Sequence, residues 1–537
     1  MEKNLKQFGK IRSLLFPIYR HEIKKLIPLS LIFLCVSMTY TMLRGLKDIY
    51  VLKYMTADSI YLIKILVIPS IIVFTFLYTH IAKRVDGYTR FNVVFGYFLA
   101  FVVLFTFVLL PNCELLKLNY IADKLNGSFP RLKALSDAIR VWPISLLYIH
   151  AEAYGTMALG VAFWTFANSI FSSIQAKRMY GFLSTGAAIG CLLSGVIMLK
   201  YSKATKLLFI VAIFSLIFIV VVYNVLVGRI KADPESYGVE EKPVKTKSKV
   251  KLTFIQSIKC LLKSRYLCFL TLIVLGYNMF IALLESIWKG KVGAYGKIVG
   301  KKFLEDHVDQ YDIFTGAPTN ELIDLAKEAG STATATIYAW QSICTGILSL
   351  FLIFFVAGSM SRKSWKVRAL FTPITAFVFS MVFYLFFKKM DLLSGFANMF
   401  DKPLLLMFIL FGMGILVFIK SSKYIFFDTS KEQAYIPLSE EEKVNGKAAI
   451  DAIGSRLGKG MSSIVISVLV AIFGGLNNIS GMTFVVVFVI IALWLFAVLS
   501  LNPLYEKKLL ENSKKNDKEV DNDKNNNAVP EVDSSKK

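Results

Sequence analysis

Cysteine, histidine and acid are the scarce resources of this chain. Six cysteines (Cys35, Cys113, Cys191, Cys260, Cys268, Cys344) and four histidines (His21, His80, His150, His307) are scattered through 537 residues. The cysteines show no metal-ligand spacing and fall mostly in apolar runs, so they read as small core residues without a disulfide framework. The histidines are dispersed, and Asp428 and Asp451 stand apart with no acid cluster beside the cations. That excludes a metal site and argues against an enzyme with an activated nucleophile, and no cofactor is called for. Acids number 37 against 62 Lys and Arg, a net charge of +25. A surplus of that size suggests nucleic acid, but the basic residues sit mostly in loops between apolar runs, where they are a topology signal. A phosphate loop is missing too. Between Gly454 and Gly458-Lys459 only Ser455, Arg456 and Leu457 intervene, and Gly460 stands where Ser or Thr is required, which excludes a soluble nucleotidase. The basic arm 1–25 is followed by no small-residue cleavage pattern, so an uncleaved first helix is expected.

Apolar length is what the chain has in abundance. It is 55% hydrophobic with a mean hydropathy of +0.57, too apolar for a soluble domain and too long for one simple core. The expected fold is all-α: a polytopic membrane protein with about twelve transmembrane helices, each run near twenty residues. The spans fall near 26–43, 60–82, 91–111, 143–171, 181–200, 207–228, 266–288, 333–358, 367–387, 403–422, 448–476 and 481–502. The fourth and eleventh carry the most polar residues. Lys83-Arg84, Lys177-Arg178, the segment from Arg229 to Arg265, and Arg362-Lys363 with Lys366 and Arg368 fall on one side with the N-terminal arm. The positive-inside rule makes that side cytoplasmic and puts both termini there. The predicted organisation is an arm (1–25), a six-helix half (26–228), a basic connector (229–265), a second six-helix half (266–502) with an external loop at 289–332, and a disordered tail (503–537).

An internal repeat supports the division. Leu31-Ile32-Phe33-Leu34 through Met38 to Leu43 aligns with Leu272-Ile273-Val274-Leu275 through Met279 to Leu284 at a constant offset of 241 (272 − 31). The offset pairs Leu31, Ile32, Leu34, Met38 and Leu43 with identical residues and sets Arg44 opposite Glu285. Two such halves around a central path imply a transporter of the major-facilitator type.

Charges within the apolar runs mark the candidate site, because they persist at membrane depth mainly where they face a water-filled path or bind opposite charge. Arg44 and Lys47 lie three apart on one helical face, and either bind phosphate or snorkel to headgroups. Glu152 sits inside Ile144 to Gly155, where a lipid-facing carboxylate is not tolerated. Glu285 precedes Lys289 by four residues, and Lys447 precedes Asp451 by four, the spacing of helical ion pairs. The stretch from Phe426-Phe427-Asp428 through Lys447, Arg456 and Gly458-Lys459-Gly460 combines cations with bare backbone amides. That suggests a polyanion such as a nucleotide phosphate chain. Lys459, between two glycines that leave room for a bulky ligand, is the strongest phosphate candidate, with Lys47, Arg44, Lys447 and Arg456 beside it. Glu152, Glu285, Lys289 and Asp451 are candidates for coupling and gating. Tyr154, Trp164, Phe166 and Trp288 are candidates for stacking on a base, though packing accounts for most aromatics in such a chain. His150 reads as hydrogen-bonded within the bundle, and Gly186, Gly190 and Gly195 as close helix contacts.

Several stretches together resemble the ATP/ADP translocase (nucleotide transporter) family of obligate intracellular bacteria and plastids. They are Leu43-Arg44-Gly45-Leu46-Lys47-Asp48, Ala151-Glu152-Ala153-Tyr154-Gly155, Phe163-Trp164-Thr165-Phe166-Ala167-Asn168, Leu284-Glu285-Ser286-Ile287-Trp288-Lys289, and Ala434-Tyr435-Ile436-Pro437-Leu438 on to Gly458-Lys459. The resemblance spans roughly residues 12–505. It implies twelve helices in a major-facilitator-like arrangement and an inner-membrane protein of an intracellular bacterium. It implies import of ATP or another NTP, by exchange for ADP or in some members by proton symport, and broad use of GTP, CTP or UTP in others. It also implies importance for the residues at Lys47, Glu152, Glu285 and Lys459. The partners expected are nucleotides and the lipid bilayer, with no nucleic acid, and a monomer suffices. A membrane-embedded transferase and a receptor without turnover are the competing functions.

Overall fold

The computed structural model describes residues 20–526 apart from 57–58, 83, 130–132, 172, 234–236, 238–263, 312–316, 357–362, 439–449, 451–455 and 474. The protein is an all-helical polytopic membrane protein. Among the described residues there is no strand, and extended pairing is confined to one bridge between Tyr311 and Pro318. Among the described residues ten helices are long and apolar enough to cross a membrane. They are α1 (Arg20–Tyr54), α2 (Ser59–Ala82), α3 (Gly87–Leu104), α5 (Ser173–Lys200), α6 (Thr205–Ala232), α7 (Arg265–Glu305), α8 (Asn320–Phe351), α9 (Trp365–Lys388), α10 (Leu404–Ser422) and α12 (Gly475–Asn526). Two more complete the expected set. α4 opens as Trp142–Tyr154, widens into a π-helix over Gly155–Phe163 and closes as Trp164–Ile170, while α11 covers Arg456–Phe473. These are the fourth and eleventh spans, the two in which polar residues dilute the apolar signal.

Small residues set how closely the helices approach. A Cβ on Gly186 or Gly190 of α5 would stand 3.1 Å from the carbonyl oxygen of Ser30 and 2.4 Å from that of Leu34 on α1. One on Gly195 would stand 2.7 Å from that of Ala339 on α8. Backbone-to-backbone packing of this kind is what small residues contribute when lipid offers no hydrophobic driving force. Gly155, at the start of the π-helix, lies beneath the Tyr40 ring, whose Cε2 would be 2.4 Å from an added Cβ. That brings α1 against α4 close to Glu152.

Four boundaries differ from the sequence reading. The arm 1–25 gives way to helix at Arg20, and Lys25 is fully buried, donating to Ile170 O at 3.1 Å and Gln175 Oε1 at 3.0 Å. The segment 289–332 is mostly helix, because α7 continues to Glu305 and α8 starts at Asn320 behind an N-cap from Thr319. Its glycines are helix contacts: a Cβ on Gly330 would sit 2.4 Å from Gly296 O, and one on Gly300 2.8 Å from Ala326 O. The tail expected to be disordered from 503 remains helical to Asn526, since no Gly or Pro interrupts 504–526 and Lys, Glu and Leu are strong helix formers. Most of the connector 229–265 lies outside the described residues, although α6 carries helix as far as Ala232.

Candidate functional site

Five spans contribute to one buried charge network. On α1, Arg44, Lys47 and Asp48 project from one face, as residues three and four apart must. Glu285 of α7 accepts from Arg44 at 2.5 Å and from Lys420 of α10 at 2.5 Å. Lys289, one turn along α7, lies 3.8 Å from Glu285 but 2.7 Å from Asp48. The other Asp48 oxygen takes Lys47 at 3.1 Å, and Lys47 reaches Glu152 of α4 at 3.1 Å. The Lys47 ammonium also sits 3.5 Å above the Tyr148 ring, a cation–π contact. Lys64 of α2 completes the set. Its charge interacts with Lys47, Asp48, Glu285 and Lys289. Tyr61, one turn before Lys64, ties α2 to α7 by donating to Ser286 O at 3.0 Å.

The arrangement follows the internal repeat. Arg44 and Glu285 are 241 residues apart and touch, and Asp48 and Lys289 share that offset (289 − 48) and also touch. Across this contact the charges at the equivalent positions are reversed: α1 supplies Arg44 and Asp48, and α7 supplies Glu285 and Lys289.

The sign of the network decides its chemistry. Among the described residues Arg44, Lys47, Lys64, Lys289 and Lys420 are five basic side chains and Asp48, Glu152 and Glu285 three acidic ones, a surplus of two basic groups. Uncompensated charge at low dielectric is costly, so such a surplus favours an anion. Access exists, because the Arg44 side chain keeps 36% of its surface exposed while Lys47 and Asp48 are sealed at 2%.

The other candidates fall elsewhere. Trp288 is fully buried, donates to Ile409 O at 2.9 Å and packs against Tyr338, so neither ring face is open to a base. Tyr154 is edge-on to Phe95 and Phe98, Phe166 packs among Tyr88, Phe91 and Tyr223, and Trp164 lies against Phe33 and Phe163. Tyr154, Phe166 and Trp288 are buried in these contacts, whereas Trp164 is half-buried. His150 stacks on Phe101 and hydrogen-bonds Tyr97 and Leu146 O, away from the network. The polar stretch 426–438 turns aside as well: Asp428 pairs with Lys423 at 3.3 Å, Ser430 O accepts from Trp365, and Ala434 O from Tyr266. Lys447 and Asp451 lie outside the described residues, as do the side chains of Arg456 and Lys459. The glycines around Lys459 do not leave open space. A Cβ on Gly458 would be 2.9 Å from Asn278 Cβ on α7, and one on Gly460 2.5 Å from Ile68 Cδ1 on α2. They let α11 fit between α7 and α2.

Asp48, Lys64 and Lys420 are members of the site that the sequence reading missed. Lys420 and Lys64 carry the signal used elsewhere, a charge within an apolar run. The repeat offset extended from Arg44 to Asp48 would have supplied the partner of Lys289.

A polytopic helical membrane protein with a partly open, cation-rich network linking α1 to α7 is, by fold and site, a candidate solute carrier for anions. The sequence comparisons narrow that class. The profile of the TLC ATP/ADP transporter family matches residues 1–319 and 331–505, and the chain belongs to that family. It is 31% identical over 519 residues to ADP,ATP carrier protein 1 of Chlamydia muridarum, covering 93% of this chain and 92% of that one. It is 29% identical over 525 residues to ADP,ATP carrier protein 1 of Rickettsia typhi, covering 94% and 98%. A solved structure of a point mutant of the nucleoside transporter NupG aligns over 90% of this chain and all of its own at 11% identity, with a TM-score of 0.46.

Proposed function

We propose that this protein is a nucleotide carrier of the inner membrane of an intracellular bacterium, with both termini cytoplasmic, exchanging ATP for ADP by alternating access. The observation that carries the reading is the surplus of two basic groups among the described residues of a buried network with an open edge at Arg44. A nucleotide phosphate chain supplies several negative charges and only acceptor atoms, which suits guanidinium and ammonium donors. Family membership and the carrier names of the relatives support the same substrate class. They set the transferase alternative aside.

The ion pairs supply a route to obligatory exchange. In the empty carrier Glu285 holds Arg44 and Lys420, and Glu152 holds Lys47. Phosphates compete for those cations, so a loaded site loosens the α1–α7 and α1–α4 ties that an empty site keeps. The contacts between equivalent residues support two six-helix halves, 26–228 and 266–502, moving about the α1–α7 contact at 44/285 and 48/289. Lys459 of the second half, beside the α2–α11 contact, is proposed to reach the phosphate chain opposite Lys47.

Proteoliposomes test the reading. Labelled ATP should enter vesicles preloaded with ADP, be recovered unmodified, and enter empty vesicles poorly. Equal uptake into empty vesicles would overturn the exchange, and release of free phosphate would overturn the carrier.

A further inference from the structure

Three donors around the network are left over once its ion pairs are counted. Among the described residues Lys64 is the cation of the set with no carboxylate at ion-pair distance, although its charge interacts with four members of the network. The Tyr148 hydroxyl is buried with no hydrogen-bond partner, and so is that of Tyr338. These residues are 0% and 5% exposed. A buried hydroxyl without a partner is destabilising, and native proteins hold few of them outside functional sites.

The three groups share one electrostatic neighbour, Asp48. Tyr148 and Tyr338 interact electrostatically with each other, with Tyr61 and with Asp48. Tyr61 stands one helical turn from Lys64 on α2, its ring 5.5 Å from the Lys64 ammonium. Tyr148 lies under Lys47, and Tyr338 stands edge-on to Trp288, next to Lys289 in sequence. One ammonium and two buried hydroxyls offer donors and positive charge, and the nearby carboxylates Asp48, Glu152 and Glu285 are already engaged by cations. The complement is an anion with several acceptor oxygens. The hydroxyls can also accept, but the ammonium cannot, and its positive charge favours an anion over a neutral base.

We infer that Lys64, Tyr148 and Tyr338 form a phosphate subsite at the edge of the ion-pair network, binding one phosphate group of the substrate. The inference rests on the carrier reading and adds to it the place where phosphate first binds. Arg44, Lys47, Lys289 and Lys420 are each held by a carboxylate when the site is empty, whereas a phosphate at Lys64 displaces no protein partner. The subsite also spans the repeat. Lys64 and Tyr148 come from α2 and α4, and Tyr338 comes from α8, so a phosphate held by all three draws the first six spans against the second six.

Inorganic pyrophosphate tests the subsite independently of transport. Added to the full-length protein in detergent, it should raise the melting temperature of the parental chain and fail to do so for Lys64→Gln. Equal stabilisation of both, or of neither, overturns the subsite. In ADP-loaded proteoliposomes the KM for ATP should rise about ten- to a hundredfold in Lys64→Gln and about tenfold in Tyr148→Phe and in Tyr338→Phe, with Lys64→Arg nearer the parental value. The ligand-free melting temperature of the two Phe variants should hold or rise, because each loses an unsatisfied hydroxyl. A fall in that temperature with an unchanged KM makes the tyrosines structural and overturns the subsite. Absence of any ATP uptake by the parental chain would instead strike the carrier reading, and the pyrophosphate shift would still decide the subsite.

Discussion

Asp48 and Lys289 meet at 2.7 Å, and their separation in sequence, 241 residues, is the offset of the internal repeat. Arg44 and Glu285 repeat the relationship one turn away with the charges exchanged. With the same charge at both equivalent positions, like charges would face each other across this contact. The reversal converts that repulsion into two ion pairs and ties α1 to α7.

A double-mutant cycle on Asp48 and Lys289 measures that tie. Asp48→Asn leaves Lys47 with Glu152 and Lys289 with the longer 3.8 Å contact to Glu285 in a sealed site, and losing a buried partner costs up to about 3–5 kcal/mol. Lys289→Gln should cost less, since Asp48 keeps Lys47 and Glu285 keeps Arg44 and Lys420. Combining them removes one charge of each sign, and the double variant should recover about half of the Asp48→Asn loss in thermal stability. Strict additivity of the two losses would show that the contact carries no coupling.

Glu152 was legible in the sequence because it stands inside an apolar run, far from either end of its span. Lys47 and Glu285, near the ends of the predicted spans 26–43 and 266–288, stood out through the motifs that resemble the translocase family. Lys64 lies close to the start of its span and Lys420 close to the end of its own, where snorkelling explains a lysine as well as function does. Asp48 was masked by its neighbour Lys47. The aromatics misled for a different reason: helical spacing does not say whether a ring faces a path or another ring, and Tyr154, Phe166 and Trp288 all found protein partners. Glycine was ambiguous in the same way. Gly296 and Gly330 read as loop residues, yet a Cβ at either would strike the facing backbone, so they are contacts between long helices.

Replacing the acids by amides should separate binding from turnover. Glu285 serves three cations, so Glu285→Gln raises the surplus of basic over acidic groups among the described residues from two to three and frees donors for phosphate. Both variants should retain nucleotide binding within a few-fold of the parental chain while exchange falls by about tenfold or more, with Glu285→Gln the more severe. Uptake into empty vesicles should rise relative to exchange, because an empty site no longer ties its cations. Parental exchange rates in both variants would make the carboxylates structural.

Two glycines in long helices should respond oppositely to alanine. An added Cβ on Gly190 would lie 2.4 Å from Leu34 O, and backbone cannot swing away as a side chain can. Gly190→Ala should cost about 1–3 kcal/mol and lower the melting temperature. An added Cβ on Gly96 meets nothing within 4 Å, so Gly96→Ala should hold or raise stability by up to about 1 kcal/mol through helix propensity. Equal effects at the two sites would mean that the α1–α5 approach is not set by Gly190.

The contact between α2 and α11 should open and close during transport. It joins a helix of the first six spans to one of the second six, and it includes Gly460 against Ile68, where an added Cβ would stand 2.5 Å from Ile68 Cδ1 and 3.1 Å from Cγ1. Ile68 is four residues beyond Lys64 and on the same face of α2, so the contact lies one turn from the charge network. If the halves rock about the contact at 44/285 and 48/289, helices that touch on one side of the site in one state must part in the other. The pair Ile68→Cys and Gly460→Cys, in a chain whose own cysteines are replaced, brings two thiols within disulfide reach. Oxidation without nucleotide should cross-link the pair and arrest ADP-loaded uptake of ATP, and a reductant should restore it. Each single-cysteine variant should be insensitive to the oxidant. A cross-linked protein that still exchanges at the reduced rate would show that α2 and α11 move as one body, and the axis of motion would have to be sought elsewhere.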